Sequence, residues 1–368
     1  MAGEVYTLKV EKVIREIPDA TSVYFTIPQD LKGSFQFEAG QYLTLNITVN
    51  GESLRRAYSI CTSPLDNEVA VTVKRVEGGR VSNYINDHIV EGSEIEVLAP
   101  MGKFTLDLKA NNQNDYYLFA GGSGITPMMS ILKTVLEEEP LSQVSLLYGS
   151  RDQNSIIFED TLKELEKKYA DRLNVRHILS LPQLGKARGI NGWLGKEDVV
   201  WRGWTGYLQE RRVQDFLINN PAKGKDQKYL ICGPSIMMDM VMVSLENIYV
   251  PSESIMVEFF GTPKKDTDIV NTFEGIAQIK VKLYGEEHHI SIDDDTSILD
   301  ALVKKGANPP FSCSSGACST CMAKLTKGTV VMDSSFSLDT MDEEKGYILT
   351  CQSHPSCEVV ELDYDAVL

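Results

Sequence analysis

The sequence predicts a chain of three domains: an antiparallel β-barrel, a parallel α/β domain, and a smaller sheet domain at the end. Three observations predict this order. The N-terminal part holds short strands, the middle alternates strands with helices, and a polar stretch precedes a cysteine-rich end. A chain of 368 residues is also too long for one hydrophobic core. The expected domains are 1–108, 109–260 and 276–368, with a linker over 261–275.

The barrel is predicted from alternating apolar and polar side chains. Residues 43–49 alternate in this way, and Asn50 with Gly51 is the strongest two-residue signal for a β-hairpin. Turn residues separate further short strands, and no helix-length amphipathic pattern interrupts them. Several short strands of this kind are typical of a barrel. The further strands are expected at 23–27, 69–76 and 94–98.

The central domain is predicted from strands that alternate with helices. Such alternation is typical of a parallel sheet whose helices cover its faces. One helix is expected at 128–136, and a second carries an apolar stripe of Phe158, Leu162, Leu165 and Tyr169. The expected strands are 116–120, 144–148, 175–179 and 229–232.

Charge and hydropathy exclude two classes of protein. The net charge of −16 argues against a nucleic-acid binder, which needs a basic surface against phosphate. From residue 271 onward there are 16 acidic and 7 basic residues, so the acidic excess is concentrated at the end and favours a basic protein partner. No targeting segment or membrane-length apolar run is found, so a cytoplasmic location and no membrane insertion are expected.

Four cysteines carry the most specific signal. Cys313, Cys318 and Cys321 are separated by four and two residues, and Cys351 follows at a distance, which is the spacing of plant-type [2Fe–2S] ligands. The small residues between the first two cysteines let the backbone wrap closely around a cluster. A zinc site is the alternative, but structural zinc sites usually use paired CxxC motifs. Cys357 is an alternative fourth ligand, although a buried structural thiol is favoured for it.

A flavin site is predicted on the strand after the hairpin. Alternation places Arg56 and Tyr58 on one face, where the arginine can pair with a phosphate and the tyrosine can cover the isoalloxazine ring. Ser59 would then lie near the flavin N5. The alternative is a surface arginine beside a core tyrosine. A basic, glycine-rich turn follows, which can hold a pyrophosphate on its backbone amides. The candidate residues in and beside this turn are Val73, Lys74, Gly79, Val81 and Ser82.

A nucleotide site is predicted between a buried strand and a helix. Residues 121–127 form this glycine turn, with Gly122 and Gly124 against a phosphate and Thr126 as the helix cap before Pro127. The turn does not match the full GxGxxG pattern, so a plain tight connection is the alternative.

Two further residues are candidates for a catalytic role together with Ser59. Cys232 ends a strand of the same parallel sheet, so it is expected at the same carboxyl edge as the glycine turn, where a nicotinamide can lie. Glu258, near the end of the last strand, is a candidate to face the flavin. A solvated glutamate is its simpler interpretation.

Taken in this order, the Arg-x-Tyr-Ser motif, the two glycine turns and the four cysteines resemble the ferredoxin-NADP reductase family fused to a plant-type ferredoxin. The resemblance covers essentially the whole chain. It implies FAD as the flavin, a β-grasp fold for the last domain, and Cys232 beside the nicotinamide. It also implies an oxidoreductase in which hydride passes from the nucleotide to the flavin and single electrons then pass to the cluster.

The domain order is similar to that of oxygenase reductases, among them the reductase subunits of phenylacetyl-CoA epoxidases. This similarity implies a role in phenylacetate catabolism and, as partner, a di-iron oxygenase that acts on a CoA thioester. Alternative acceptors are a ring-hydroxylating dioxygenase and an acyl desaturase. A redox-sensing binding protein and a scaffold with a degenerate flavin site are alternatives of another class.

The nucleotide preference is predicted from basic residues near the expected ribose. Leu181 stands where NADPH-using relatives often carry an arginine. A 2′-phosphate can nevertheless meet Arg151, Lys186 and Arg188. The strand before Arg151 ends at Gly149, and no acidic residue directly ends it to bind a free ribose hydroxyl. NADPH is therefore expected, with NADH as the alternative.

Overall fold

A computed structural model describes residues 4–186, 197–199, 201–261, 271–335, 337–338 and 340–367. Within them an antiparallel sheet, a parallel sheet and a mixed sheet follow one another along the chain, which confirms the predicted fold class. None of the described helices is both long and apolar enough to cross a membrane. Part of the predicted linker, 262–270, lies outside the described residues, so the domain borders stay a prediction.

The N-terminal sheet has six antiparallel strands in the order β4-β3-β6-β1-β2-β5. An additional bridge between Ile60 and Val71 joins its two edges, so the sheet closes into a barrel. One helix, α1 (Arg80–His88), packs on it directly after the glycine-rich turn. The strands are β1 (Val5–Ile17), β2 (Ala20–Thr26), β3 (Tyr42–Val49), β4 (Glu52–Ser59), β5 (Val69–Lys74) and β6 (Glu94–Met101).

Strand β1 is the longest of the barrel, and the sequence pattern did not predict it. Its pairing with β2 shifts register between Val10 and Lys12 and again between Arg15 and Ile17. Each irregularity breaks the two-residue alternation, so the apolar side chains no longer follow one period.

The central sheet has six parallel strands in the order β12-β9-β8-β7-β13-β14. The carboxyl ends of β7, β8, β13 and β14 therefore meet at one edge, where the site described below lies. The strands are β7 (Asn114–Gly121), β8 (Gln143–Ser150), β9 (Leu173–Leu179), β12 (Trp204–Thr205), β13 (Asp226–Cys232) and β14 (Ile255–Glu258), with an antiparallel pair of β10 (Leu184–Lys186) and β11 (Glu197–Val199). The helices are α2 (Ile125–Glu138), α3 (Glu159–Lys168), α4 (Glu210–Asn219) and α5 (Ser235–Asn247).

The C-terminal sheet has five strands in the order β16-β15-β21-β17-β19 and a short helix, α6 (Ile298–Lys304). Its last strand lies between the first strand and β17, parallel to the first and antiparallel to β17. The strands are β15 (Ile276–Leu283), β16 (Glu286–Asp293), β17 (Met322–Lys327), β19 (Tyr347–Leu349) and β21 (Val359–Asp363), with β18 (Val330–Met332) paired to β20 (Ser353–Pro355) and a second helix, α7 (Thr340–Glu344).

Candidate functional site

Ser59 and Glu258 meet where the barrel contacts the parallel sheet. Ser59 ends β4 and Glu258 ends β14, and the Ser59 hydroxyl donates a hydrogen bond to Glu258 Oε2 at 3.1 Å. Burial raises the pKa of Glu258 to about 8, which the bond from Ser59 opposes. Glu258 is partly exposed and bonded to Ser59, which favours its candidate role over a solvated glutamate, and that role stays a prediction. The pair can hold a proton beside whatever binds at this junction.

The junction opens into a cleft of about 310 Å³. All three domains contribute to its walls, so one bound group can contact the barrel, the parallel sheet and the cysteine loop together. A planar ring bound here would have Ser59 and Glu258 at one side and the cysteine loop at the other. Six of the residues that line it are Tyr42, Arg56, Ser59, Glu258, Cys313 and Cys318.

Arg56 and Tyr58 lie on β4 as predicted. Arg56 is exposed, while Tyr58 is partly buried against the barrel core. Burial raises the pKa of Tyr58, and the nearby Arg56 charge lowers it in part. The exposed Arg56 guanidinium can reach a phosphate, and the Tyr58 phenol stays neutral. Both residues fit a bound flavin, and their assignment to it stays a prediction.

The glycine turn before α1 is built on Ser82. The Ser82 hydroxyl accepts a hydrogen bond from Val76 N at 3.2 Å, and a Cβ on Gly79 would lie only 2.5 Å from that hydroxyl. Gly79 precedes the helix with no side-chain cap, so the first backbone N–H groups of α1 point outward. Val73 and Val81 are buried beneath the turn. The turn therefore fits a phosphate group.

Lys74 lies at the other glycine loop and not at the flavin-phosphate turn. Its Nζ is 3.5 Å from where a Cβ on Gly122 would stand, and it lines a cleft of about 290 Å³ together with Ser123 and Phe260. Burial first, and then the charge of Arg151, lowers the pKa of this lysine. A phosphate bound here would counter both effects.

The turns after β7 and β13 pack tightly against each other. A Cβ on Gly124 would lie 2.1 Å from the Cys232 carbonyl oxygen, and one on Gly233 would lie 2.9 Å from Gly121 N. Cys232 is fully buried, and its pKa is raised by burial and then by the charge of Glu258. The two turns thus form one unit, and the role of Cys232 beside a nicotinamide stays a prediction.

Thr126 does not cap α2. The helix begins at Ile125, and the Thr126 hydroxyl donates to the Ser123 carbonyl at 3.0 Å, so the prediction of this cap was wrong. A 3-10 turn at Gly122–Gly124 runs directly into the helix, which leaves no extended residue in the capping position.

Of the basic residues predicted at the ribose, Arg151 is described in full. Its side chain is 60% exposed and lies 3.2 Å from Asp152 and 4.0 Å from Asp19. Arg188 lies outside the described residues, and only the backbone of Lys186 is described. The exposed guanidinium of Arg151 lies close enough to Lys74 for its charge to act on that lysine, so it provides a second positive charge near the cleft.

The four cysteines lie in two pairs. The side chains of Cys313 and Cys318 lie next to each other, and so do those of Cys321 and Cys351. Among the described residues no three such side chains converge on one metal ion. Two thiolates for each of two irons is the ligand set of a [2Fe–2S] cluster, whereas a structural zinc ion needs all four together. The arrangement therefore fits the cluster.

The backbone of the cysteine loop provides donors for sulfur. Ser315 N lies 3.4 Å from Cys313 Sγ, and Gly316 N also donates to Cys351. Ser314 and Gly316 adopt φ values of 52° and 71°, which turn these amides inward. N–H donors around the sulfurs stabilise the negative charge of a cluster.

Cys357 lies apart from this loop. Its Sγ accepts a bond from Thr329 N and donates to Val359 O, both at 3.2 Å. These partners belong to the turn after β17 and the start of β21. The geometry therefore favours Cys351 as the fourth ligand.

Glu258 gives the first testable prediction. A free glutamate titrates near 4.5, so the stability due to its folded-state proton is complete below that pH and is lost as the pH rises through about 8. Glu258→Gln keeps the shape without the ionisation. We expect the difference in melting temperature, Glu258→Gln minus wild type, to increase as the pH is raised from about 5 to about 9. Glu253→Gln, at an exposed glutamate, is the control, and a pH-independent difference for Glu258→Gln would contradict the assignment.

Comparison with known proteins gives matches to three domain families. The family model described as oxidoreductase FAD-binding domain matches residues 7–106, and the oxidoreductase NAD-binding domain matches residues 118–242. The 2Fe-2S iron-sulfur cluster binding domain matches residues 281–356. These three ranges contain the two glycine turns and the cysteine loop described above, whereas Glu258 lies between the second and third ranges.

Full-length relatives show the same arrangement. The chain is 37% identical over 363 residues to one of the subunits of 1,2-phenylacetyl-CoA epoxidase of Escherichia coli (strain K12), covering 98% of each chain. It is 34% identical to the ferredoxin reductase component of 3-ketosteroid-9-alpha-monooxygenase of Mycobacterium tuberculosis (strain CDC 1551 / Oshkosh), covering 99% of this chain and 97% of the relative. The solved structure of phthalate dioxygenase reductase, described as a modular structure for electron transfer from pyridine nucleotides to [2Fe–2S], covers 98% of both chains with a TM-score of 0.60 and 27% identity.

Proposed function

This chain belongs to the ferredoxin-NADP reductase family with a fused plant-type [2Fe–2S] domain, and we propose that its acceptor is an oxygenase that epoxidises an aromatic CoA thioester. As a member it is an oxidoreductase that uses FAD, a [2Fe–2S] cluster and a pyridine nucleotide, and it passes electrons to an oxygenase. The observation that carries the finer proposal is 37% identity over 98% of the chain to a component of an epoxidase. The proposal places the chain in phenylacetate catabolism.

FAD, when bound, would supply the conversion between the two-electron chemistry of a nicotinamide and the one-electron chemistry of a [2Fe–2S] cluster. The chain's residues position these groups. We assign Arg56, Ser82 and the amides after Gly79 to the flavin phosphates, Tyr58 to its ring, and Ser59 with Glu258 to a proton held beside N5.

The nucleotide is assigned to the tightly packed pair of turns. Gly122 lets its phosphates approach the backbone, Gly124 lets the two turns pack together, and Lys74 and Arg151 supply positive charge. Cys232 is assigned to the nicotinamide end of this site. Because its thiol is buried and its pKa raised, it stays neutral and packs without taking part in proton transfer.

Arg151 gives the second prediction. The loss of a charge-assisted bond to a 2′-phosphate costs about a factor of ten or more, so Arg151→Ala should raise the KM for NADPH about tenfold and change that for NADH little. Lys74→Met should raise both KM values, because both nucleotides carry the pyrophosphate. Lys163→Met, at an exposed lysine of α3, is the control. Equal losses for both nucleotides in Arg151→Ala would contradict the preference for NADPH.

The partner is proposed to be a di-iron oxygenase with a basic docking surface. The segment from residue 271 onward carries more than twice as many acidic as basic residues, so attraction to a basic surface would speed association at low salt. The alternative acceptors are favoured less, since the steroid monooxygenase reductase is 34% identical and the phthalate dioxygenase reductase 27%.

Reconstitution tests the proposal. The reductase is combined with the oxygenase component of phenylacetyl-CoA epoxidase and, separately, of 3-ketosteroid-9-alpha-monooxygenase, and product formation is followed over a salt series. We expect turnover with the CoA-thioester enzyme to be at least about tenfold faster and to fall with salt. Faster turnover with the steroid enzyme would overturn the partner. Slow reduction of every acceptor, artificial ones included, would favour a redox sensor.

A further inference from the structure

Tyr42 connects the barrel to the cysteine loop through an unbroken chain of side-chain hydrogen bonds. Its hydroxyl lies 2.7 Å from Thr320 Oγ1, and Thr320 Oγ1 lies 3.2 Å from Cys318 Sγ. Tyr42 is only 6% exposed, whereas Thr320 and Cys318 are partly buried. The barrel thus reaches a cluster ligand through two hydroxyl groups.

This chain of hydrogen bonds begins beside the proposed flavin site. Tyr42 is the first residue of β3 and pairs directly with Ser59 of β4. Both residues line the cleft of about 310 Å³, and so does Cys318. The residue that contacts the cysteine loop is therefore a cross-strand neighbour of the one assigned to the flavin N5.

The sulfur of Cys318, at the end of this chain of hydrogen bonds, sets their direction. A thiolate ligand only accepts, and Cys318 Sγ at 3.2 Å is nearer to the Thr320 hydroxyl than its other possible acceptors, the Cys318 carbonyl at 3.5 Å and Met101 Sδ at 3.7 Å, so we assign the single Thr320 proton to the sulfur. Thr320 Oγ1 then accepts from Tyr42, whose other possible acceptor, the Cys318 carbonyl, is farther away at 3.4 Å. In such a chain the first bond polarises the second, so the Tyr42 hydroxyl strengthens the donor at the sulfur.

We propose that Tyr42 is a positioning residue that raises the reduction potential of the cluster by acting through Thr320. Reduction adds one negative charge to the cluster, and hydrogen bonds to its sulfurs stabilise that charge. The inference rests on the proposed ligation by these four cysteines. A residue of the barrel would thus help to set the reduction potential of the cluster in the neighbouring domain.

The test is a redox titration of the full-length, cofactor-loaded protein, in which the cluster is followed by EPR and the flavin by absorbance. Thr320→Val should lower the reduction potential of the cluster by about 59 mV, which corresponds to a tenfold change in a one-electron reduction equilibrium. Tyr42→Phe should lower it less, and the double variant should match Thr320→Val alone. The flavin potential should stay unchanged.

The matched control is Thr44→Val. Thr44 Oγ1 lies 2.6 Å from Ser312 Oγ, so this variant removes a buried hydroxyl pair at the same domain contact without touching a cysteine sulfur. An equal shift in Thr44→Val, no shift in Tyr42→Phe, or a further shift when Tyr42→Phe is added to Thr320→Val would each overturn the relay. A wild-type protein without the EPR signal and iron of a [2Fe–2S] cluster would instead overturn the ligand assignment beneath it.

Discussion

Replacement of Cys351 by serine should abolish electron delivery to one-electron acceptors while leaving flavin reduction by NADPH intact. Cys351 is paired with Cys321 on the far side of the loop, so its loss leaves one iron with a single thiolate. Iron and sulfide content should fall to near zero. The cores of the barrel and the parallel sheet contain no residue of the C-terminal domain, so the flavin should still bleach at close to the wild-type rate.

Cys357→Ser is the matched control, because Cys357 lies six residues farther along the same segment with its thiol bound to Thr329 and Val359. It should keep wild-type iron, sulfide and acceptor reduction. Cluster loss in Cys357→Ser with retention in Cys351→Ser would reverse the assignment of the fourth ligand. Iron, sulfide and stopped-flow absorbance measurements on the two variants decide between them.

The second large effect is expected from Gly124→Ala. The added Cβ would stand 2.1 Å from the Cys232 carbonyl oxygen, a backbone atom that moves only with β13. The two turns must therefore separate, which should cost about 3 kcal/mol of stability. Because a displacement of about 1 Å can slow a positioned reaction about 100-fold, flavin reduction by NADPH should slow by about that factor.

Gly33→Ala provides the comparison, since a Cβ there meets nothing within 4 Å. Stopped-flow flavin reduction and thermal melting of both variants test the prediction. Cluster content should be normal in each, which separates damage at the nucleotide site from general misfolding. A wild-type rate in Gly124→Ala would show that the close contact between the turns does not serve nucleotide binding.

Patterns within single elements predicted much of this protein. The alternation in residues 43–49 located β3, and the spacing from Cys313 to Cys321 indicated the cluster. Strand β1 was missed because its register irregularities break the alternation. The prediction that Thr126 caps the helix was wrong because residues 122–124 already form a 3-10 turn that leads into it. The sequence alone does not distinguish such a turn from an extended segment that ends in a capping residue.

Contacts between distant segments could not be predicted. Tyr42 and Thr320 lie 278 positions apart, and nothing local marks an aromatic residue at the start of a strand as a partner of a cysteine loop. Lys74 was assigned to the flavin-phosphate turn by its neighbours in sequence, but its ammonium lies at Gly122. Such placements depend on how the domains pack.

The position of β21 has a consequence for biosynthesis. This last strand lies between β15 and β17, with Val360 and Leu362 in the core. Residues up to Asp363 must therefore leave the ribosome before the C-terminal sheet can close, whereas the barrel and the parallel sheet need only residues up to Glu258. Assembly thus has a built-in order, in which the cysteine-containing domain closes after the other two.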